Sequence, residues 1–355
     1  MEYTTLDKIS ENLDSKRKPI TSSDRVEGKI PYYGASGIVD YVKDYIFDES
    51  LLLVSEDGAN LLARSTPIAF SVTGKTWINN HAHVLRFSNE NLQKFVEIYL
   101  NSISLESYVT GSAQPKLNQK MLNGIPIPVV DDSQIEIIVN SVENLKSIIE
   151  FRKQELACLD DLIKARFVEM FGSIYDNKYG YNVMTLQDVC EPIKDGTHQT
   201  PTYTEDTVNG FKFLSSKDVT SGKVDWDHLK YIPEELHNEL YKRISPRKGD
   251  ILLAKNGTTG VAAIVDRDEV FDIYVSLALL KPLEMVTAEY LCSAVNSLET
   301  KHQFDHSLKG IGVPNLHLGE IKKTKIIVPP IELQKQFADF VHQVDKSKVV
   351  VASVK

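Results

Sequence analysis

The sequence of 355 residues is poor in features that mark several common protein classes. It has three cysteines, Cys158, Cys190 and Cys292, odd in number, widely spaced and outside any C-x-x-C pair. Neither a disulfide framework nor a zinc knuckle is therefore expected. No run approaches the roughly 18 apolar residues that a membrane span requires. The first residues, MEYTTLDKISENL, lack the basic start and apolar core of a secretory signal. A cytoplasmic protein with no membrane partner is expected. Basic charge is also lacking, since 49 acidic against 40 basic side chains give a net charge of -9. That balance speaks against a uniformly basic surface for nucleic acid, although only the local distribution decides binding. Residues 241–257, YKRISPRKGDILLAKNG, carry Lys242, Arg243, Arg247, Lys248 and Lys255 against Asp250 alone. Residues 110–120, TGSAQPKLNQK, carry Lys116 and Lys120 and no acid.

Catalytic signatures are equally scarce. The nearest to one is AFSVTGKT, residues 69–76, which reads A-x-x-x-x-G-K-T and falls one residue short of a phosphate-binding loop. Such a loop needs glycines that let backbone N–H groups converge, and a helix starting at the Lys-Thr. Here Phe70, Ser71, Val72 and Thr73 fill the loop, and WINNHAHVLRF after it alternates like a strand, so nucleotide binding is not expected. Asp305, Glu320 and Lys322 loosely fit the carboxylate-carboxylate-lysine set of metal-dependent nucleases, as chance allows in a chain with 49 acids. His302 with His306, and His81 with His83, lack a third ligand at matching spacing. There is no nucleophile elbow, no G-x-G-x-x-G and no Asn/Asp-Pro-Pro-aromatic motif. No catalytic residue and no metal ligand is assigned.

What the sequence does contain is one internal repeat. LLLVSEDGAN at 51–60 aligns with DILLAKNGTT at 250–259, and TGSAQPKLN at 110–118 with KGIGVPNLH at 309–317, both displaced by 199. A strand-like run, prolines and a helical pattern then follow from Ile125 and again from Ile326. Two related domains, each followed by a helix, are implied. In the first helix the positions Ile138, Val142, Leu145, Ile149, Arg152, Leu156, Leu159, Ile163, Arg166 and Met170 form a seam with alternating spacings of three and four. Ser133 with Glu136 reads as a capping box, and Gly172 as the stop. Such a helix is on the order of 57 Å long, and its natural mate is the shorter second helix, as an antiparallel coiled coil. The expected fold class is α+β, two pseudo-symmetric mixed α/β domains separated by these helices.

Polar, small-residue loops follow the apolar runs in both halves. Plain turn chemistry explains them, and so does contact with DNA, since Asn and Gln pair with adenine and Lys and Arg with guanine or phosphate. Taken together, IPYYGASGIVDYVKDYIF (30–47), the segment 51–85 and TGSAQPKLN, then IKDGTHQTPTY (193–203), FLSSKDVTSGKVDW (213–226), YKRISPRKGDILLAKNGTTGVAAIVD (241–266) and KARFVEMFG (164–172), resemble the specificity subunit of type I restriction-modification systems. The resemblance implies a first target recognition domain at 1–132, a central spacer helix at 133–172, a second such domain at 173–328 and a short spacer helix at 329–355. It implies a non-catalytic subunit that reads a bipartite double-stranded DNA site. It further implies docking to two modification (methyltransferase) subunits and in some systems to restriction/translocase subunits. S-adenosylmethionine, ATP and Mg would then belong to partners, with no cofactor in this chain. The DNA-proximal residues expected are Tyr33, Ser36, Asn60, Lys75, Asn79, Asn80, His81, Ser112, Gln114 and Lys116 in the first domain. In the second they are His198, Gln199, Lys217, Lys255, Asn256, Thr258, Thr259, Lys309 and Asn315. The other readings are a stand-alone metal-dependent nuclease and a coiled-coil scaffold.

Overall fold

The computed structural model describes residues 2–111, 114–307 and 315–353. It divides into two compact units, Met1–Glu150 and Phe151–Lys355, with the division inside the central helix. In the first unit the run LLLVS forms the strand Leu51–Ser55, buried at every position, as a continuous apolar run covered on both faces should be. Its sheet has the order Ser10–Asn12, Ala82–Phe87, Leu51–Ser55, Ala69–Val72. Strand periodicity sends alternate side chains to opposite faces. Leu52, Val54 and Leu85 therefore meet Phe95, Val96 and Leu100 of the helix Glu90–Ser102, while Leu51, Leu53 and Val84 meet Phe47 and Ile78. A second sheet has the order Gly37–Val42, Glu27–Gly34, Lys75–Ile78, Phe47–Asp48. Lys75 and Thr76 thus open a strand behind a turn at Gly74 (φ +72°), and no helix starts there.

The second unit repeats this plan. Its larger sheet runs Lys194–Asp195, Leu277–Leu280, Ile251–Ala254, Ala262–Ile264, and its smaller one Lys230–Ile232, Phe211–Leu214, Phe271–Ile273. The smaller sheets share a parallel pairing, Tyr33 beside Ile78 in one and Leu214 beside Ile273 in the other. A two-stranded ribbon leads into each spacer helix, Tyr3–Thr5 with Pro126–Pro128 and Asn182–Thr185 with Lys325–Val328. The repeat extends to single bonds. The bridge Asp57–Lys116 recurs as Asn256–Asn315, and the Leu117 N–H to Glu56 carbonyl bond of 2.8 Å recurs from Leu316 to Lys255 at 2.8 Å. These four pairs keep the displacement of 199 seen in the sequence (57 to 256, 116 to 315).

The central helix is Asp132–Phe171, 40 residues, or about 60 Å. Its cap differs from the expected Ser133–Glu136 box. Asp131 accepts the Gln134 N–H at 2.9 Å and the Ser133 hydroxyl at 2.6 Å, which sets a carboxylate against the positive end of the helix dipole. Gly172 ends the helix in the left-handed region, φ +73°, donating its N–H to the Val168 carbonyl at 2.8 Å. Of the expected seam, Ile138, Val142, Arg152, Leu156, Leu159, Ile163, Arg166 and Met170 are half-buried and Leu145 and Ile149 exposed. Beside it, Ile135 and Val139 enter the first core and Phe167 and Phe171 the second.

In the second unit the shorter helix Ile331–Ser353 pairs antiparallel with the end of the central helix. Phe167 and Phe171 lie 5.6 and 5.5 Å from Phe337 between ring centres, Arg166 is 5.8 Å above the Phe340 ring, and Lys348 bonds Asp160 at 2.7 Å. As one chain number rises the other falls. Arg166 is thereby a helix-helix contact, while Arg152 pairs with Glu155 on its own helix.

These placements predict a contrast in stability. Phe171→Ala should cost about 3–5 kcal/mol in urea unfolding of the second unit, and Leu145→Ala within about 0.5 kcal/mol of nothing. Similar costs for both would contradict the observed seam.

Candidate nucleic-acid interface

In the first unit four chain segments converge at one edge of the sheets. Asn79 N–H donates to the Tyr33 carbonyl at 3.0 Å, Glu56 N–H to the His81 carbonyl at 2.9 Å, and Gly58 N–H to the Pro115 carbonyl at 3.1 Å. Ser36, Asn80, His81, Gln114 and Lys116 are exposed there and Tyr33 is half-buried. A cleft of about 540 Å³ opens beside them, lined in part by Arg25, Tyr32, Val39, Asn79, Asn80 and His81. The His81 ring is held by Asp57 at 2.9 Å.

Three of the expected residues have contacts within their own unit. Asn79 is buried, and its side-chain oxygen accepts the His81 N–H at 2.8 Å, so it shapes the turn that presents Asn80. Asn60 spends its carboxamide on its own loop, bonding the Thr66 N–H and carbonyl and the Ser65 hydroxyl, each at 3.0 Å. Lys75 lies at the far end of the strand Lys75–Ile78, about 13 Å along the chain from Asn79, with its ammonium 4.6 Å above the Tyr45 ring.

Beneath the edge runs a charged network that sequence reading missed. Arg17 bonds Glu56 at 2.5 Å and also donates to the backbone carbonyls of Ala82 at 2.9 Å and Asn80 at 3.3 Å. Lys116 reaches Glu56 at 3.1 Å. The buried His83 places Nδ1 2.6 Å from Asp14 and Nε2 2.7 Å from the Leu117 carbonyl. Both neighbours offer oxygen atoms to the ring. Among the described residues Asp14, Glu56 and His83 form the one group with ligand atoms close enough for a metal ion. Arg17 and Lys116 already supply positive charge to the two carboxylates, which supports an ion-pair network here. Burial raises the Asp14 carboxyl, but the hydrogen bond and charge of His83, the Val84 amide and Arg17 outweigh it and hold the group below its ordinary 3.8. Glu56 is likewise lowered: burial raises it, but the Arg17 hydrogen bond, His83 and Lys116 prevail.

The second unit builds the same edge with the charges reversed. Lys255 stands where Glu56 stands, its N–H bonded to the Ser276 carbonyl at 2.9 Å and its carbonyl to the Leu316 N–H. It is buried, with its ammonium 3.0 Å from the buried Asp195. Lys255, expected to meet phosphate, is therefore a structural cation, because a burial that suits an ion pair keeps the charge from solvent and from DNA. Gly196 allows the next residues to lie directly on the turn after Ile273, since a Cβ there would stand 2.0 Å from the Ile273 carbonyl oxygen and 2.5 Å from the Tyr274 carbonyl carbon. His198 and Gln199 are thereby carried, exposed, to this edge. Ser216 N–H bonds the Ser276 hydroxyl at 3.0 Å, which brings the exposed Lys217 beside them. Asn256 and Asn315 are half-buried bridge partners, each with a buried side-chain oxygen that has no hydrogen-bond partner among the described residues. Thr258 is exposed and Thr259 half-buried in the loop after Gly257. Ser112 and Lys309 lie outside the described residues.

Comparison with known proteins follows the repeat. The family model of the type I restriction modification DNA specificity domain matches residues 1–160 and again 178–350. A protein of Haemophilus influenzae named as a type I restriction enzyme specificity subunit is 28% identical over 367 residues, covering 100% of this chain and 89% of that one. The MjaVIII specificity subunit of Methanocaldococcus jannaschii is 23% identical over 366 residues, covering 94% and 83%. The crystal structure of the S subunit of a type I restriction-modification system from M. genitalium superposes with a TM-score of 0.56 at 14% identity, covering 99% of this chain and 91% of that one. That likeness is one of fold.

Two predictions concern the charged floor of the edge. Lys255→Ala leaves the buried Asp195 carboxylate with only the exposed His198 ring at 3.2 Å and should cost up to about 3–5 kcal/mol in urea unfolding, with most of the loss recovered when Asp195→Ala is added. A loss unaffected by Asp195→Ala would contradict the pairing. Asp14 and Glu56 are lowered on folding, so their stabilisation is complete above the unfolded values of 3.8 and 4.5 and is lost as pH falls through the folded ones. The wild-type protein should lose stability in thermal melts below about pH 4, and Asp14→Asn should flatten that dependence.

Proposed function

Since this chain belongs to the type I restriction-modification DNA specificity family, we propose that each of its two units reads one half of a bipartite double-stranded DNA site. The spacer helices, on this reading, dock two methyltransferase subunits and fix the distance between the half-sites. The single observation that carries the proposal is the repeated edge, in which the same backbone bonds present different side chains in the two units. One frame with two sets of loop residues is what a reader of two unlike half-sites needs.

The contacts proposed for the first half-site are Tyr33, Ser36, Asn80, His81, Gln114 and Lys116. Those for the second are His198, Gln199, Lys217, Asn256, Thr258, Thr259 and Asn315. The role is non-catalytic. S-adenosylmethionine, ATP and Mg would be held by partner subunits, and a restriction/translocase subunit would join through them. The acidic net charge of -9 fits a chain that makes few phosphate contacts itself and works within a larger assembly. The nuclease reading has less support. Among the described residues the one metal-competent cluster contains neither Asp305 nor Glu320, and Glu320 faces Lys323 on its own short helix at 3.9 Å.

The test uses the chain with whatever methyltransferase co-purifies, selection from randomised duplexes, and salt titration. Asn80→Ala should lose about tenfold or more of base discrimination at one position of one half-site. Lys116→Ala should weaken binding to all sequences alike and lower the salt slope by about 1. The contact assignment fails if the two variants change affinity and sequence preference identically.

A further inference from the structure

The equivalence of the two units reaches a turn that sequence comparison alone does not align. In the first unit, Asn79 to His81 begins where the Asn79 N–H bonds the Tyr33 carbonyl at 3.0 Å and ends where the His81 carbonyl accepts the Glu56 N–H at 2.9 Å. In the second, the Tyr274 N–H bonds the Leu214 carbonyl at 2.8 Å, and the Ser276 carbonyl accepts the Lys255 N–H at 2.9 Å. Both turns leave the same parallel strand pair and join the loop after the same central strand. Both have one residue between their flanks. That residue is Asn80 in the first unit and Val275 in the second.

The chemistry of the two positions differs in a way that bears on sequence. Asn80 presents an exposed carboxamide, which can pair bidentately with adenine. Val275 donates its backbone N–H to the Thr197 carbonyl at 2.9 Å, so its half-exposed side chain offers only methyl groups. Of the four bases, thymine alone puts an apolar group into the major groove, its 5-methyl. Resting on the DNA reading above, we propose that Val275 is a specificity-determining residue of the second unit and contacts the methyl group of a thymine in the second half-site. The close approach at Gly196 sets His198 and Gln199 beside it to meet the polar edges of neighbouring bases.

The experiment begins with the full chain, together with any methyltransferase that co-purifies, selecting its site from randomised duplexes. That site is then synthesised with each thymine in turn replaced by deoxyuridine, which removes only the methyl group. One thymine in one half-site should lose about fourfold in affinity, what one buried methyl contributes. Val275→Asn, which carries no methyl group, should abolish that sensitivity and leave the other half-site unchanged, whereas Val275→Thr, which keeps the branched shape and one methyl, should retain part of it. An unaltered melting midpoint shows that each variant folds. A selected site with no methyl-sensitive thymine, or a sensitivity that survives in full in the asparagine variant, overturns the assignment of Val275 while the DNA reading stands. Selection of no sequence at all overturns the DNA reading and this inference with it.

Discussion

Each unit depends on one junction, the backbone tie from the residue after the central buried strand to the segment just before the spacer helix. In the first unit it runs between Glu56 and Leu117, and in the second between Lys255 and Leu316. The tie holds the variable loops at a fixed edge, and an ion pair under it fastens the amino-terminal segment of each unit to the same place. Arg17 does this through Glu56, and Asp195 through Lys255. Reversal of sign between the halves shows what this position requires, which is an opposite pair shielded from solvent and not a particular charge. In the second unit, where both members are buried, removing Lys255 leaves Asp195 with only the exposed His198 ring.

The frame accounts for why loop residues can vary while the edge persists. The strands Leu51–Ser55 and Ile251–Ala254 bury every side chain, and their backbone bonds fix where the following loops begin. Gly196 shows the same economy of backbone, since its missing side chain is what lets one segment lie on another. The long helix packs most deeply at its two ends, through Ile135 and Val139 in one core and Phe167 and Phe171 in the other.

Much of this was legible in the sequence because it is local or repeated. The displacement of 199, the long helix with its Gly172 stop, and the absence of a helix after Lys75 and Thr76 all rest on patterns within a few residues or between aligned stretches. What escaped depends on contacts between distant residues. Lys255 looked like a surface cation because its partner Asp195 is sixty positions earlier, and no motif marked Arg17, which grips Glu56, Asn80 and Ala82. Asn60 and Asn79 have the residue type that reads bases, yet both spend their side chains on their own turns. The turn at Val275 was hidden because VSLALL reads as continuous buried strand.

The most direct measurement of the central claim replaces residues 1–132 with the matching segment of a related chain and maps methylated adenines in the assembled complex by single-molecule sequencing. The account predicts that one half of the methylated sequence changes and the other half stays as it was. A methylation pattern that survives unchanged, or one in which both halves change, would contradict two independent reading units.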